Sequence, residues 1–446
     1  MKGRSAGWVA EAAGATIRAG DPGAPGPGRA VIDTRQAAEA DLFVGLRGAS
    51  ADGGAYAAQA LEAGAWGALV SAEHAERAAA AAPAAAVVLE AADPLAALQA
   101  LARAWRRELD CRVVGVTGST GKTSTKDILA ALLAPHARVH RNRQNLNTEI
   151  GLPLTILEAP EGTEAMVLEM AMRGEGQIAE LVAVAEPDCG VIVNVGPVHL
   201  ELLGTVERVA AAKAELIRDL RPGAACVVPA AEPLLDSHLR DDVDTWTFGP
   251  GGEVMLLAFD ARGAGGVAEI EARGQIVRVE LSYSEPHNLL NTLAGVAAAA
   301  AIGVRPGGRV QTEFSSLRGE VVELPGGVTV VNDCYNANPM SMRAALQHLA
   351  ETPADRRLAV LGIMAELGDG SVAFHREIGE EAAALGIDVL ITVGEDALAY
   401  GEGFQGEAYA AGSAEEASAL LEEIAQPGDR VLIKGSRSAG LERVLA

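Results

Sequence analysis

Cysteine and aromatic residues are scarce in this sequence of 446 residues. The four cysteines are far apart and form no C-x-x-C pair; they are Cys111, Cys189, Cys226 and Cys334. This spacing excludes a disulfide framework and a cysteine-based zinc site, and it is typical of a reducing compartment. Aromatic residues make up only 3 %, so the cores must be built from Leu, Val, Ile and Ala, within a hydrophobic content of 49 %.

Basic residues are also few, because 36 Lys and Arg stand against 60 Asp and Glu, giving a net charge of −24. No cluster of Lys and Arg supplies the positive face that nucleic acids need, so we expect no nucleic-acid partner. The acidic surface is explained more simply as a solvated one that keeps the protein soluble. An anionic ligand would therefore have to be bound by local basic residues and backbone donors.

Long apolar runs are absent as well. The N-terminal residues lack the apolar segment of a signal peptide. The alanine-rich run Ala78–Ala86 is short and is interrupted by Pro83. A membrane-spanning helix needs about 20 apolar residues. We therefore expect no stable membrane insertion and a cytoplasmic protein.

The length suggests about three domains, and the pattern predicts an α/β fold in each. Residues 1–107 read as a small α/β domain with a Pro/Gly-rich loop at Asp21–Gly28. Its predicted strands are Ala30–Asp33, Leu42–Leu46 and Gly67–Val70, and its predicted helices are Ala55–Ala63 and Leu95–Leu109.

Residues 108–309 alternate between apolar strands and helices, which predicts a parallel sheet covered on both faces, with its ligand beyond the carboxyl ends of the strands. The predicted strands are Val113–Val116, Ala165–Met170 and Gly190–Val195, and the predicted helices are Thr123–Leu133, Gly176–Val184, Thr205–Asp219 and Asn288–Ala301. Several short strands in Val254–Leu281 predict an antiparallel edge.

Residues 310–446 repeat the strand–helix rhythm and predict a Rossmann-like domain. The predicted strands are Val328–Asn332, Arg357–Gly362, Val389–Val393 and Arg430–Lys434, and the predicted helices are Ser341–Leu349 and His375–Ala384. No G-x-G-x-x-G follows the first strand, so this domain need not bind a dinucleotide.

The run Val113–Thr125 contains the strongest motif, a buried strand followed by a glycine-rich turn and a helix. Such a turn presents backbone N–H groups and the positive helix end to a phosphate. Lys122 would add a charge for the terminal phosphates, and the Thr123 hydroxyl could bind Mg²⁺. Val116 stands where the standard Walker A motif has its first glycine, so the usable core is Gly118–Thr123. A glycine turn that serves only packing is the alternative.

Three further candidates belong to the central domain, two of them near the ends of its strands and one on a helix. Glu169 closes a predicted strand and could share the magnesium ion with Thr123, or it could be a solvated or helix-capping carboxylate. His199 follows the next strand and could be functional or structural. Lys213 lies on an otherwise apolar helix face, where a lysine commonly extends its stem along alanine and leucine.

Polar runs supply the remaining candidates. Gln144–Gly151 leads into the helix-like Leu152–Leu157, and its amides could bind substrate or cap that helix. Asn291 could face a base, while Asn288 could simply be a helix N-cap. Asn332–Pro339 follows a buried strand with more hydrogen-bonding groups than a turn requires.

Taken in order, these motifs resemble the Mur ligase family, the ATP-dependent amide ligases that build the peptidoglycan stem peptide. Tyr335–Pro339 resembles the branch that joins D-Ala-D-Ala to UDP-MurNAc-tripeptide, supported by Val360–Gly368 with His375 and by Lys434–Arg437. Asp33–Arg35 and Asp41–Gly48 resemble the family's UDP-sugar-binding domain.

The resemblance implies ATP and Mg²⁺ as cofactors, an acyl-phosphate intermediate and closure of the third domain on the central one. It implies a catalytic set of Lys122, Lys213, His199 and Asn145, with Lys213 carbamylated. It implies Mg²⁺ ligands Thr123, Glu169, His199 and Lys213, and nucleotide contacts from Gly118, Ser119, Thr120, Gly121, Lys122, Thr123, Ser124, Asn291, Asn332 and Asp333. For the substrates it implies Asp33, Thr34, Arg35, Arg47, Asn147, Thr148, Tyr335, Asn336 and Asn338. We expect a monomer.

Three positions depart from the family pattern. Thr148 replaces the usual asparagine after Asn147, Gly54 stands where the N-terminal motif usually has histidine, and Ile363 replaces the usual aspartate before Met364. Two other functions remain open at this point. One is another ligase of the same family that adds a single amino acid. The other is a GTP-binding switch, although the guanine-reading N-K-x-D motif is missing.

Overall fold

The computed structural model describes residues 1, 3–143, 145–315 and 317–445. These residues form three β-sheets that follow one another along the chain, each packed against helices. We call the corresponding parts the first unit (6–109), the central unit (112–310) and the third unit (320–445), with a linker at 311–319. The fold class predicted from the sequence is therefore confirmed.

The first unit is a five-stranded sheet with the order β1-β5-β4-β3-β2. Strand β1 pairs antiparallel with β5, and the other pairs are parallel. Its elements are α1 (Ala6–Ala13), β1 (Thr16–Ala19), β2 (Arg29–Val31), β3 (Asp41–Val44), α2 (Ala57–Glu62), β4 (Gly67–Ser71), α3 (Ala72–Ala81), β5 (Val87–Ala91) and α4 (Pro94–Leu109).

The central unit is a ten-stranded sheet with the order β15-β14-β13-β12-β11-β10-β9-β6-β8-β7. Its strands are β6 (Arg112–Thr117), β7 (Val139–Arg141), β8 (Ala165–Glu169), β9 (Cys189–Ile192), β10 (Ala225–Pro229), β11 (Asp244–Phe248), β12 (Val254–Arg262), β13 (Gly265–Ala272), β14 (Gln275–Leu281) and β15 (Gly308–Val310). Its helices are α5 (Lys122–Leu133), α6 (Gly151–Glu158), α7 (Gln177–Ala185), α8 (Leu200–Leu203), α9 (Val206–Arg218) and α10 (Pro286–Ala301). In sheet order, the pairs from β7 to β11 are parallel, and β12 to β14 are antiparallel as predicted, but the edge itself is β15, which pairs parallel with β14.

The third unit is a six-stranded sheet with the order β16-β17-β21-β18-β19-β20, in which β16 pairs antiparallel with β17. Its strands are β16 (Glu320–Leu324), β17 (Val328–Asn332), β18 (Arg356–Gly362), β19 (Val389–Val393), β20 (Glu407–Ala411) and β21 (Asp429–Lys434). Its helices are α11 (Pro339–Glu351), α12 (Ser371–Ala384), α13 (Ala399–Gly403) and α14 (Ala414–Ile424).

The central strands β6, β8 and β9 are buried on both faces of the sheet. Successive residues of a strand point to opposite faces, so Val113 enters one apolar cluster while Val114 and Val116 enter the other. The first cluster continues through α4 into the first unit, where it includes Leu42 and Leu89. The first and central units therefore share one core. Within the described ranges, no helix combines the length and the apolarity needed to cross a membrane.

Several predicted boundaries are wrong for local reasons. The strand predicted at Ala30–Asp33 ends at Val31, because Asp33 caps a 3₁₀ turn. The helix predicted at Ala55–Ala63 begins as a 3₁₀ turn at Gly53–Tyr56 and becomes α-helical only at Ala57. The predicted Gly190–Val195 strand ends at Ile192.

A buried carboxylate ties the phosphate-loop helix to the linker. Asp127 on α5 is 1 % exposed, and its Oδ2 accepts hydrogen bonds from the backbone N–H and hydroxyl of Ser315 at 3.0 and 2.9 Å. Its Oδ1 pairs with Arg141 and lies 3.3 Å from the Lys126 ammonium. The linker that leads into the third unit is thus attached to the helix that carries Lys122.

Candidate functional site

The glycine-rich turn lies between β6 and α5, as the sequence predicts. Gly121 has φ +75°, a backbone conformation that residues other than glycine rarely adopt. A Cβ at this position would also lie 2.8 Å from Oδ1 of Asn291. Both conditions require glycine here, and the second places Asn291 directly against the loop.

Only some of the loop amides point outward. The N–H groups of Ser119 and Thr120 donate to Oδ1 of Asn194 at 3.1 and 2.9 Å. The first helical hydrogen bond is made by the N–H of Thr125 to the carbonyl four residues earlier. The N–H groups that a helix start leaves for a ligand are those of residues 121–124. The predicted donors Ser119 and Thr120 are therefore held by Asn194, a residue that sequence reasoning missed.

The Lys122 ammonium is folded back into the loop. Its Nζ donates to the carbonyl of Gly118 at 2.7 Å and lies 3.5 Å from that of Ser119. Burial lowers the pKa of Lys122 and the nearby Arg318 lowers it further, while the Glu169 carboxylate raises it. A phosphate anion at this point would favour the charged lysine.

The Glu169 carboxylate lies at the carboxyl end of β8 and is 3 % exposed. Its Oε1 accepts a hydrogen bond from Nδ2 of Asn147 at 2.9 Å. Its Oε2 is buried and has no hydrogen-bond partner within the described part of the chain. A buried carboxylate oxygen without a partner is unusual, and such an oxygen is suited to a hard cation. With the buried Thr123 hydroxyl, Glu169 therefore fits a magnesium site.

Lys213 lies on α9 and is 1 % exposed. Burial lowers its pKa well below the usual value, and the Lys122 charge lowers it further. Among the residues that the structure describes, no carboxylate pairs with it. The apolar-stem interpretation would place the ammonium in water, so it is wrong. A lowered pKa favours the neutral amine, which is the nucleophilic form, and this fits the carbamylation that the resemblance implies.

His199 lies before the short helix α8 with φ 54°. Its Nδ1 contacts the carboxylate of Glu366, which belongs to the third unit. The Arg173 guanidinium lies 3.4 Å from the other oxygen of Glu366. The His199 hydrogen bond, with a smaller contribution from the Arg173 charge, holds the pKa of Glu366 below its ordinary value. In the sequence, Glu366 is only one residue of the family-like run Val360–Gly368, and nothing there predicts its contact with His199.

Arg318, in the linker, was also missed. Its guanidinium stacks over the Tyr335 ring at 4.2 Å from the ring centre and donates to the Thr123 hydroxyl at 3.4 Å. It therefore brings a second cation to the phosphate loop. The only sequence signal was a basic residue in an irregular segment of a strongly acidic chain.

At the end of β17 the structure gathers Asn332, Asp333 and Lys434. Asn332 is 6 % exposed, and its Oδ1 has no hydrogen-bond partner in the described ranges. The buried Lys434 ammonium donates to Oδ2 of Asp333 at 2.5 Å and to the carbonyl of Asn336 at 3.1 Å. Lys434 thus holds the loop that carries the predicted nucleotide and substrate residues.

Some candidates have local structural contacts. Oδ1 of Asn338 caps α11 by accepting from the Ser341 N–H at 3.0 Å, in a full capping box. Oδ1 of Asn336 accepts from the next N–H along the chain. The predicted capping role of Asn288 is wrong, because Glu285 is the N-cap of α10. Asn145 and Thr148 are exposed, and Gln144 lies outside the described residues.

The first-unit candidates lie apart from the phosphate loop. Arg35 is 87 % exposed and pairs with Asp33 at 2.7 Å. Arg47 is 77 % exposed and lies 3.4 Å from both Asp52 and Glu73. In the described ranges, neither these residues nor Thr34 hydrogen-bond to the central or third unit.

The glycine at position 54 makes room for a histidine from another element. A Cβ on Gly54 would lie 2.2 Å from the ring of His74, which comes from α3. Nε2 of His74 in turn lies 3.1 Å from Asp52. An imidazole therefore still lies at this corner of the first unit, although the sequence motif has lost its own histidine.

The third unit contacts the central unit closely at Gly196, and this contact yields a prediction. A Cβ on Gly196 would lie 1.9 Å from Sδ of Met340. We expect Gly196→Ala to weaken docking of the third unit by about 1–3 kcal/mol. Small-angle scattering should then give a larger radius of gyration. The double variant with Met340→Ala should restore the original value, and failure to do so would contradict the contact.

Comparisons with known proteins agree with this geometry. Residues 116–299 match the Mur ligase middle domain, and residues 317–437 match the Mur ligase, glutamate ligase domain. The UDP-N-acetylmuramoyl-tripeptide–D-alanyl-D-alanine ligase of Bacillus subtilis is 36 % identical, over 93 % of this chain and 91 % of that one. The ligase of the same name from Escherichia coli is 32 % identical, over 93 % and 92 %.

Solved structures give the same result. MurF from Acinetobacter baumannii superposes with a TM-score of 0.86 at 27 % identity, covering 99 % of this chain and 98 % of that one. MurF ligase from Thermotoga maritima in complex with ADP superposes with a TM-score of 0.80 at 32 % identity, covering 94 % and 96 %. This chain belongs to the Mur ligase family.

Proposed function

We propose that this chain is an ATP-dependent ligase that joins D-alanyl-D-alanine to UDP-N-acetylmuramoyl-tripeptide and releases ADP and phosphate, a cytoplasmic step of peptidoglycan precursor synthesis. The observation that carries the proposal is the unpartnered Oε2 of Glu169 at the same sheet edge as the phosphate loop. The full-length similarity to ligases of that name supports the choice of substrates.

The three units would divide the work. Residues 1–107 would bind the UDP-sugar end through Asp33, Thr34, Arg35 and Arg47. Residues 108–309 would bind the ATP phosphates, and residues 310–446 would close on them. The third-unit sheet begins at Glu320, and the central sheet reaches Val310, one residue past this division.

Positioning and charge neutralisation are the main tasks of the residues at the phosphate loop. The N–H groups of residues 121–124 and the ammonium of Lys122 would bind the β- and γ-phosphates. Arg318 would approach from the other side, since it already reaches the Thr123 hydroxyl. The backbone N–H groups are fixed by the helix start and would stabilise negative charge without reorganisation, whereas the Lys122 ammonium would turn from its own loop carbonyls to the phosphates.

Thr123 and Glu169 would hold one Mg²⁺, and His199 with a carbamylated Lys213 would hold a second. When bound, the ions would neutralise phosphate oxygens and fix their geometry. The neutral amine of Lys213, which burial favours, would add to CO₂ and release one proton, which converts a neutral amine into an anionic oxygen ligand. Asn147 would orient Glu169 through the 2.9 Å hydrogen bond.

The reaction would proceed in two displacements. The terminal carboxylate of the tripeptide attacks the γ-phosphorus, the bond to the bridging oxygen of ADP breaks, and an acyl phosphate forms. The amine of D-alanyl-D-alanine then attacks the acyl carbon, loses a proton, and phosphate leaves. Asn291, Asn332 and Asp333 would bind the base and ribose, while Tyr335, Asn336 and Asn338 would line the cleft beside the second substrate.

An ADP-release assay with paired acceptors tests the function. We expect release only when ATP, UDP-MurNAc-tripeptide and D-Ala-D-Ala are all present, because the acyl phosphate needs its amine acceptor for turnover. Both the diaminopimelate and the lysine tripeptide should be supplied, since the sequence leaves the third residue open. Equal turnover with a single amino acid would assign another member of the family, and a preference for GTP without ligation would reject the ligase.

A further inference from the structure

Glu366 connects the third unit to His199, which precedes the short helix α8 of the central unit. Its carboxylate contacts Nδ1 of His199, and its backbone carbonyl accepts a hydrogen bond from the Glu201 N–H at 3.3 Å. Arg173 of the central unit lies 3.4 Å from the carboxylate. Side chain and backbone of Glu366 thus both bind the segment that carries His199.

The loop that presents Glu366 is rigidly anchored. The Met364 N–H donates to Nε2 of His375 at 2.9 Å, and the Ala365 N–H donates to the Ser436 hydroxyl at 3.0 Å. His375 is fully buried, and its Nδ1 is 2.7 Å from the Ser371 carbonyl. These anchoring groups belong to the third unit, so they tie the position of the loop to that unit.

Both residues of the contact adopt an uncommon backbone conformation. His199 has φ 54° and Glu366 has φ 62°. Residues other than glycine adopt such angles at an energetic cost, and they persist where the surroundings fix them, commonly at functional sites. The two side chains are therefore aimed at each other from two different units.

The contact decides which ring nitrogen of His199 carries the proton. An ionised carboxylate only accepts hydrogen bonds, so Nδ1 must be the protonated nitrogen. The lone pair of the neutral ring is then on Nε2, which makes no hydrogen bond within the described part of the chain. A carboxylate that fixes a histidine in this way is a common partner of a metal-binding imidazole.

We propose that Glu366 is a positioning residue that fixes His199 as the Nδ1–H tautomer, and so completes the second magnesium site only when the third unit is docked. This inference rests on the proposed function, because it uses the metal role given there to His199. It makes cation binding at the second site dependent on closure, so a molecule with an undocked third unit would hold that cation weakly.

The tautomer is measured directly by ¹⁵N NMR of the full chain labelled at its histidines, with His199→Gln to assign the signal. We expect Nδ1–H in the wild type and a mixture with Nε2–H in Glu366→Ala. The carbonyl oxygen of Glu366→Gln can still accept from Nδ1–H, so this variant should recover part of the wild-type signal. An unchanged His199 signal in Glu366→Ala would overturn the proposal.

Cation binding is measured with Mn²⁺ by electron paramagnetic resonance in the presence of ADP. We expect the weaker of two sites to lose about tenfold in affinity in Glu366→Ala. Arg173→Ala keeps the contact with His199 and should retain the tautomer. Glu377→Ala removes a third-unit carboxylate that pairs instead with Arg343 and should change neither readout.

The two proposals fail separately. Equal Mn²⁺ affinity in wild type and Glu366→Ala, in an enzyme that ligates, rejects the role of Glu366 alone. If Mn²⁺ binding depends on Glu366 but the wild type releases no ADP with the paired acceptors, the ligase function alone is rejected.

Discussion

Replacing Lys213 by alanine should lower ADP release about 10³-fold while the chain stays folded. Loss of one preorganised group that stabilises transition-state charge costs about 10²–10³, and this residue would also hold a metal ion. The side chain is buried without a carboxylate partner, so its removal takes away an unpaired buried amine. The melting temperature of Lys213→Ala should therefore stay close to that of the wild type, although its activity falls.

The same experiment has internal controls. Short carboxylic acids such as acetate should restore part of the activity of Lys213→Ala, because they supply the missing oxygen ligand. Labelling with ¹³CO₂ should place a carbamate on Lys213 alone among the three lysines that are buried in the described part of the chain. Lys126 lies 3.3 Å from Asp127 and Lys434 lies 2.5 Å from Asp333, so each is paired as a cation. Full activity in Lys213→Ala would return this residue to a packing role.

The order of elements around the phosphate loop could be predicted because local signals agree there. A β-branched run, two glycines and Gly-Lys-Thr predict the strand, turn and helix, and the parallel sheet then brings Glu169 to the same edge. Strand β20 was missed because its alanine-rich run Glu407–Ala411 has low strand propensity; its parallel pairing with β19 is a tertiary contact.

The contacts across the units could not be predicted from the sequence. The roles of Arg318 and Glu366 depend on their contacts with Thr123 and His199 in the central unit. Neither motif spacing nor hydrophobic periodicity in the sequence indicates that these residues lie close together. Asn194 was passed over for a similar reason, because its two bonds to the loop join residues about 75 positions apart. Motif reasoning found the residues that lie on the sheet edge, and missed those that hold or close the site.

Replacing Lys122 by methionine should lower kcat/KM for ATP about 10³-fold. Lys122 is the first residue after the glycine-rich turn, and its ammonium would bind the phosphates. Loss of one donor that stabilises charge in the transition state lowers the rate about 10²–10³-fold. Lys122→Arg keeps the charge but its planar guanidinium does not fit the same point, so it should recover only part of the loss. The ratio is measured from initial rates of ADP release at limiting ATP.

Stability separates a role in binding from a role in folding. Within the residues that the structure describes, Nζ of Lys122 bonds only to the carbonyls of its own loop, at 2.7 and 3.5 Å, and burial lowers its pKa. Methionine removes this desolvated cation at similar length, so the ligand-free melting temperature of Lys122→Met should equal or exceed that of the wild type. ATP should raise the melting temperature of the wild type and not of the variant. A variant that melts early and still binds ATP would make Lys122 a structural lysine, because its charge would then serve the loop and not the phosphate.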